Sequence, residues 1–268
     1  MLLCNDFRPG KGRILFAPKL HRMPLREAFE REGNWLFRNR SWLPMLLYPV
    51  AVATIYFQPE TAHGAITNDA WGIFCFLVSL AGQVVRALTV GSAPGGTSGR
   101  NTATQVADSL NETGIYSVVR HPLYLGNFLM WLGLLLFIGV WWFGLICSLA
   151  YWLYYERIMY AEEEFLRRKY GARYEQWASR TPAFIPQLGS WQPSPLPFAL
   201  KNVLKREYNG FFALILSFAL INTISYLFAE RRLEVDKLWK IGFAAGAIIF
   251  LVLRTLKKNT RVLDVAGR

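Results

Sequence analysis

Six apolar stretches, at 42–57, 70–90, 123–139, 141–160, 208–228 and 239–256, alternate along the chain with segments rich in charge, glycine or proline. A membrane-crossing helix needs roughly 17 to 25 mostly apolar residues, and each stretch lies within or close to that length. The pattern predicts an all-α fold, a polytopic transmembrane helical bundle of five to six spans. The third and fourth stretches are fused into one apolar block divided only near Gly139 to Gly144, which predicts a tight helical hairpin.

The chain is 53% hydrophobic and yet has a formal net charge of +12, a pairing typical of a polytopic membrane protein. The charge is therefore concentrated between the apolar stretches, where Lys and Arg mark the cytosolic side. Nine such residues precede the first stretch (Arg8, Lys11, Arg13, Lys19, Arg22, Arg26, Arg31, Arg38 and Arg40), whereas the 58–69 loop has none and holds Glu60 and Asp69. The amino terminus is expected in the cytosol, with 91–122, 161–207 and the tail from Lys257 on the same side. The segment Glu230 to Lys237 mixes three basic with three acidic residues and fits the outside only weakly. Residues 1–40 lack an apolar core of signal-peptide length, so insertion is expected to be led by the first span. Cys4, Cys75 and Cys147 are isolated, without spacing suited to a metal or to a disulfide framework, and read as small buried hydrophobes.

Five segments follow. Residues 1–40 form a basic element that either lies on the membrane surface or only fixes topology. Residues 41–113 hold the first two spans and a Gly/Ser/Thr-rich loop, either a flexible connector or a loop that meets a cofactor or headgroup. Residues 114–186 form a core, 187–207 a linker with Pro193, Pro195 and Pro197, and 208–268 a final span pair with a basic tail. Within the core, Phe165, Leu166, Tyr170, Tyr174 and Trp177 recur near helical spacing among Arg167, Arg168, Lys169 and Arg173. This predicts a helix that leaves the membrane and runs along its cytosolic face until Pro182 and Pro186 end it.

Polar chemistry gathers at both ends of the hairpin. Gly114-Ile-Tyr116-Ser-Val-Val-Arg120-His121-Pro122-Leu-Tyr124-Leu-Gly126 leads into it, and Glu162, Glu163 and Glu164 follow it, so folding back returns the carboxylates to the face that holds His121. Pro122 suits the first turn of a helix, whose free N–H groups are expected to welcome an anion. The glutamates are candidates to bind ribose hydroxyls or an amino group, or to balance a sulfonium.

The run Gly-x-Tyr-x-x-x-Arg-His-Pro-x-Tyr-x-Gly, then an apolar hairpin, then Glu162-Glu163-x-x-Leu166-x-x-x-Tyr170-Gly171-x-x-Tyr174-x-x-Trp177 and Ile185-Pro186, resembles the isoprenylcysteine carboxyl methyltransferase family and its phospholipid methyltransferase relatives. The resemblance implies S-adenosylmethionine bound on the cytosolic face, with Tyr116, Arg120, His121, Pro122, Tyr124 and Gly126 on one side of its pocket and Glu162 and Glu163 on the other. Tyr170 stands where family members often have Phe. About 80 residues and two spans follow a motif that the family usually places last, which argues against assuming a prenylcysteine substrate.

Methyl transfer from a sulfonium requires alignment of donor and nucleophile and exclusion of water. A carboxylate or phosphate acceptor is already anionic and needs no base, whereas an amine would need one, with Glu163 the first candidate and His121 beside it. The arginines of the inner face favour an anionic headgroup, and Arg100, Asn101, Arg173 and Tyr174 are the expected substrate-binding residues. The expected function is methylation of an anionic lipid or lipidated substrate by an integral-membrane enzyme, in the inner membrane if the source is bacterial. Aminophospholipid N-methylation, a nicotinamide-dependent reductase of sterol-reductase type and a non-enzymatic scaffold or transporter are the alternatives. The expected partners are the membrane and its lipid, with no nucleic acid, and the oligomeric state is left open.

Overall fold

The computed structural model describes residues 24–94, 97, 105 and 107–267. Among them the secondary structure is helical, with nine α-helices: α1 (Leu25–Asn39), α2 (Leu47–Phe57), α3 (Pro59–Ile66), α4 (Asp69–Ser92), α5 (Pro122–Ile138), α6 (Trp141–Tyr170), α7 (Ala172–Ala178), α8 (Leu200–Ala229) and α9 (Lys237–Asn259). The helical bundle expected from the apolar pattern is the fold observed. By length and composition α4, α8 and α9 can each cross a membrane, while Leu43–Phe57 and Pro122–Ile138 are shorter apolar helical pieces.

Three boundaries differ from the pattern for local reasons. The first apolar stretch is a 3-10 turn at Leu43–Leu46 followed by α2, broken where Pro59 starts α3; proline lacks the N–H that would continue the ladder. The helix expected along the membrane surface instead prolongs α6 to Tyr170 and turns at Gly171, where φ is +53°. The proline linker is shorter than expected because α8 begins at Leu200, bringing Arg206, Glu207 and Gly210 into its first turns.

The hairpin turns where expected. Gly139 closes α5 in the left-handed conformation at φ +74°, and α6 starts two residues later; a side chain there would be strained and would meet Ala65 at 2.2 Å. Helix α4 packs along α5 through small residues. A Cβ on Gly133 would lie 2.3 Å from the Cys75 carbonyl oxygen, and one on Gly126 2.8 Å from that of Gly82. Such close backbone approach is a common means of helix association in membranes. The apolar core between these helices and the α8–α9 pair is built around Phe137, Phe218 and Trp239, with Phe218 and Trp239 stacked at 4.9 Å.

At the hairpin's charged end, α1 lies against the outward extension of α6. Glu164, 2% exposed, pairs with Arg26 at 2.6 Å and with Arg167, and Glu30 accepts from Arg168 at 3.0 Å. A buried carboxylate is tolerated when paired in this way. At the opposite end His63 Nε2 lies 2.8 Å from Glu230 Oε1, so the 58–68 and 230–236 turns share one face. Cys75 and Cys147 are free and buried, while Cys4 lies outside the described residues.

Candidate active site

Between the charged ends of the helices lies a cavity of about 800 Å³, within the range of small-molecule sites. The motif loop enters it after a 3-10 turn at Ile115–Ser117 and is clamped by the chain that follows α7. The Arg120 and His121 N–H groups donate to the Pro182 and Ala183 carbonyls at 2.9 and 3.2 Å, and Gln187 N–H donates to Val118 at 2.9 Å. Tyr124 and Leu125 N–H both donate to the His121 carbonyl. Two of the N–H groups expected to meet an anion at the start of α5 are therefore bonded within the protein.

Folding the hairpin back does join the two polar clusters. His121 Nε2 lies 2.9 Å from Glu163 Oε1, and its Nδ1 lies 3.6 Å from Glu162 Oε2. Arg120 donates through Nε to Glu163 Oε1 at 3.0 Å and through one terminal nitrogen to the Ala178 and Thr181 carbonyls, each at 2.7 Å. Tyr124 donates its hydroxyl to Glu162 Oε1 at 2.7 Å. Burial favours a neutral His121, but its hydrogen bonds to the two carboxylates and their charges outweigh that and raise its pKa. Burial likewise opposes ionisation of Glu163, yet His121 and Arg120 draw its pKa down to about 2. Each partner therefore favours the charged form of the other.

Aromatic residues complete this end. Tyr116 and Tyr174 line the cavity, and burial first, then the neighbouring glutamate charge, raises both phenols. Trp177 donates to the Tyr116 carbonyl at 3.0 Å. The Tyr174 hydroxyl is buried with no hydrogen-bond partner.

The structure thus brings Tyr116, Arg120, His121, Pro122, Tyr124, Glu162, Glu163 and Tyr174 to one cavity. Gly126 is placed differently: it lies at the α4–α5 contact, where a Cβ would meet Arg86 Cγ at 2.6 Å. Arg173, 65% exposed, donates to Glu112 at 2.7 Å and lines a smaller neighbouring cavity of about 270 Å³. Arg100 and Asn101 lie outside the described residues. Sequence reasoning did not place Arg86, Asn127, Tyr155 and Glu207 at the site, yet they line the main cavity. A charge at each of two apolar helix ends was the available signal, because ionisable residues there usually serve a site.

A helical membrane bundle whose polar cavity is walled by an Arg-His-Pro entrance and a Glu-Glu helix defines a class of membrane enzyme. Residues 70–173 match the family model described as phospholipid methyltransferase. The chain is 37% identical over 73 residues to Protein-S-isoprenylcysteine O-methyltransferase of Schizosaccharomyces pombe, covering 27% of this chain and 31% of that protein. It is 31% identical over 150 residues to nickel-cobalt-cadmium resistance protein NccN of Alcaligenes xylosoxydans xylosoxydans, covering 53% of this chain and 64% of that one. It is 35% identical over 162 residues to cobalt-zinc-cadmium resistance protein CzcN of Cupriavidus metallidurans, covering 59% of this chain and 69% of that one. No solved structure matches. The chain belongs to the isoprenylcysteine carboxyl methyltransferase and phospholipid methyltransferase family. The match spans under a third of the yeast enzyme and just under two thirds of NccN.

Proposed function

We propose that this integral-membrane protein transfers a methyl group from S-adenosylmethionine to the anionic headgroup of a lipid or lipidated molecule at its cytosolic face. The observation that carries the reading is the convergence of Arg120, His121, Glu162 and Glu163 on one wall of a single cavity. These residues suit the donor. Glu162 accepts from Tyr124 and has His121 Nδ1 3.6 Å away, and the Tyr174 hydroxyl has no hydrogen-bond partner among the described residues, so both retain capacity for ribose or amino groups. Tyr116, Tyr174 and Trp177 offer rings against which a purine can lie. When bound, S-adenosylmethionine supplies an electrophilic methyl group.

The protonation states of the chain's own residues favour an acceptor that is already an anion. A Glu163 carboxyl drawn down to about 2 is a weak base at neutral pH, and the same contacts raise His121 and favour its protonated form. General-base catalysis works best from a group titrating near the operating pH, which Glu163 does not. His121 and Glu163 instead fix each other and Arg120, holding the wall in shape and balancing charge. Arg173 holds Glu112 and so steadies the 107–113 segment whose Leu110 and Asn111 line the cavity. A test is to incubate purified protein with methyl-labelled S-adenosylmethionine and total membrane lipid, then follow label by mass spectrometry. A gain of one methylene on an acidic headgroup is expected. Tight nicotinamide binding without any response to S-adenosylhomocysteine would replace this reading with a reductase.

A further inference from the structure

The cavity carries a second built site besides the His121 wall, to which α8, outside the 70–173 family match, contributes directly. Arg86 of α4 grips Glu207 of α8 in bidentate fashion, Nε to Oε2 at 2.8 Å and one terminal nitrogen to Oε1 at 3.0 Å, and donates through the other to Asn127 Oδ1 of α5 at 2.6 Å. Gln83 adds a further donor to Glu207 at 3.1 Å. Glu207 is 7% and Arg86 24% exposed at the side chain. A guanidinium has five N–H groups, and three are used here, so two remain on a side chain that faces the cavity. Gln83 is itself buried, and its Oε1 has no hydrogen-bond partner. That oxygen stands 3.7 Å from the point where a Gly210 side chain would begin, on a glycine that lines the cavity.

Over the cavity as a whole, Arg40, Arg86, Arg120 and Arg206 outnumber the carboxylates of Glu162, Glu163 and Glu207. We infer that Arg86, Asn127, Gln83 and Glu207 form the acceptor-headgroup subsite, with Arg86 binding a singly charged oxyanion, carboxylate or phosphodiester. Gly210 leaves room for a neighbouring hydroxyl to donate to Gln83. Glu207 acts as a positioning residue: it fixes the plane of the Arg86 fork and, by neutralising part of its charge, disfavours dianions. The inference rests on the proposed methyl transfer for the word acceptor, but the binding it describes is separable from that chemistry.

The test uses the full-length protein in detergent micelles, titrated with oleate, with dioleoyl phosphatidylglycerol, with dioleoyl phosphatidylethanolamine and with dioleoyl phosphatidylcholine, while S-adenosylhomocysteine affinity is measured separately. Wild type is expected to bind at least one of the two anionic probes at least tenfold more tightly than the two zwitterions. Oleate alone winning assigns a carboxylate acceptor, and phosphatidylglycerol alone a phosphodiester. Arg86→Lys and Glu207→Gln should each lower that preference at least fivefold, with S-adenosylhomocysteine affinity within twofold of wild type. Gly210→Leu, which fills the gap while keeping both charges of the ion pair, should do the same and covers the case in which a charge-altering variant does not fold. Equal binding of all four probes, or a preference kept in every folded variant, overturns the subsite. Loss of S-adenosylhomocysteine binding by wild type would instead strike the methyltransferase reading and leave the headgroup result standing.

Discussion

His121 Nε2 and Glu163 Oε1 stand 2.9 Å apart across 42 residues of sequence, and the same carboxylate oxygen accepts from Arg120 Nε. The hairpin of α5 and α6 makes this contact, and it ties the entrance of one helix to the exit of the other. His121→Ala and Glu163→Gln should each weaken S-adenosylhomocysteine binding by about 1 to 3 kcal/mol, the cost of leaving a buried polar partner unsatisfied. Isothermal titration checks this, and unchanged affinity in both would place the donor elsewhere in the cavity.

The same pair makes stability depend on pH with a defined sign. His121 has a raised pKa in the fold, so its contribution is complete below its unfolded value of 6.5 and is lost as pH rises through the folded one. Glu163 is lowered to about 2 from 4.5, so its contribution is complete above 4.5 and is lost as pH falls toward 2. The pair therefore supports the fold most fully between about 4.5 and 6.5. The difference in melting temperature between wild type and His121→Gln should be largest near pH 6 and shrink as pH rises above neutrality. A difference that stays constant up to pH 9 would show that His121 is not charged in the fold.

Orientation follows from which turns share a face. His63 and Glu230 join the 58–68 and 230–236 turns at one end, and Arg120, Glu163 and Glu207 mark the other. In a cysteine-free background, single cysteines at Gly64 and Glu234 should react with an impermeant thiol reagent from outside, and those at Glu175 and Arg180 only after the cytosolic face is opened. Gly64, Glu175 and Arg180 are exposed and Glu234 is half-buried. Outside labelling at Glu175 would reverse the orientation and move the site to the other compartment.

The fold was legible because lipid imposes a strong constraint: backbone groups must bond within the segment, so apolar length alone located α4, α8 and α9 as spanning helices. The hairpin was legible from one glycine, Gly139, whose left-handed turn no side chain favours. The Arg-His-Pro and Glu-Glu wall was legible because contiguous motifs carry it. Arg86 and Glu207 were not, since they lie in different helices and only packing, across 121 residues of sequence, makes them a pair. Gly126 shows a related limit: a glycine inside the motif reads as a cofactor contact, but its neighbour is the Gly82 backbone of α4. Arg40, too, reaches the cavity only because α1 lies along α6.

That placement of α1 gives the last expectation. Gly33 sits against α6 so closely that a Cβ would lie 2.0 Å from the Arg157 carbonyl oxygen and 2.8 Å from Ala161 Cβ. Neither atom is the free end of a flexible side chain, so one helix must move. In an open helix Gly→Ala stabilises by about 1 kcal/mol, so destabilisation by Gly33→Ala would report the contact itself. Phe37 and Arg40 follow Gly33 and line the cavity, and displacing α1 withdraws that wall and strains the Arg26–Glu164 pair at 2.6 Å. Gly33→Ala should therefore lower both the melting temperature and S-adenosylhomocysteine affinity, although no cavity residue has changed. Gly64→Ala is the control, because a Cβ there meets nothing within 4 Å, and both quantities should stay at wild-type levels. If Gly33→Ala proves as harmless as the control, α1 is not held against α6 in the membrane and does not form a wall of the site.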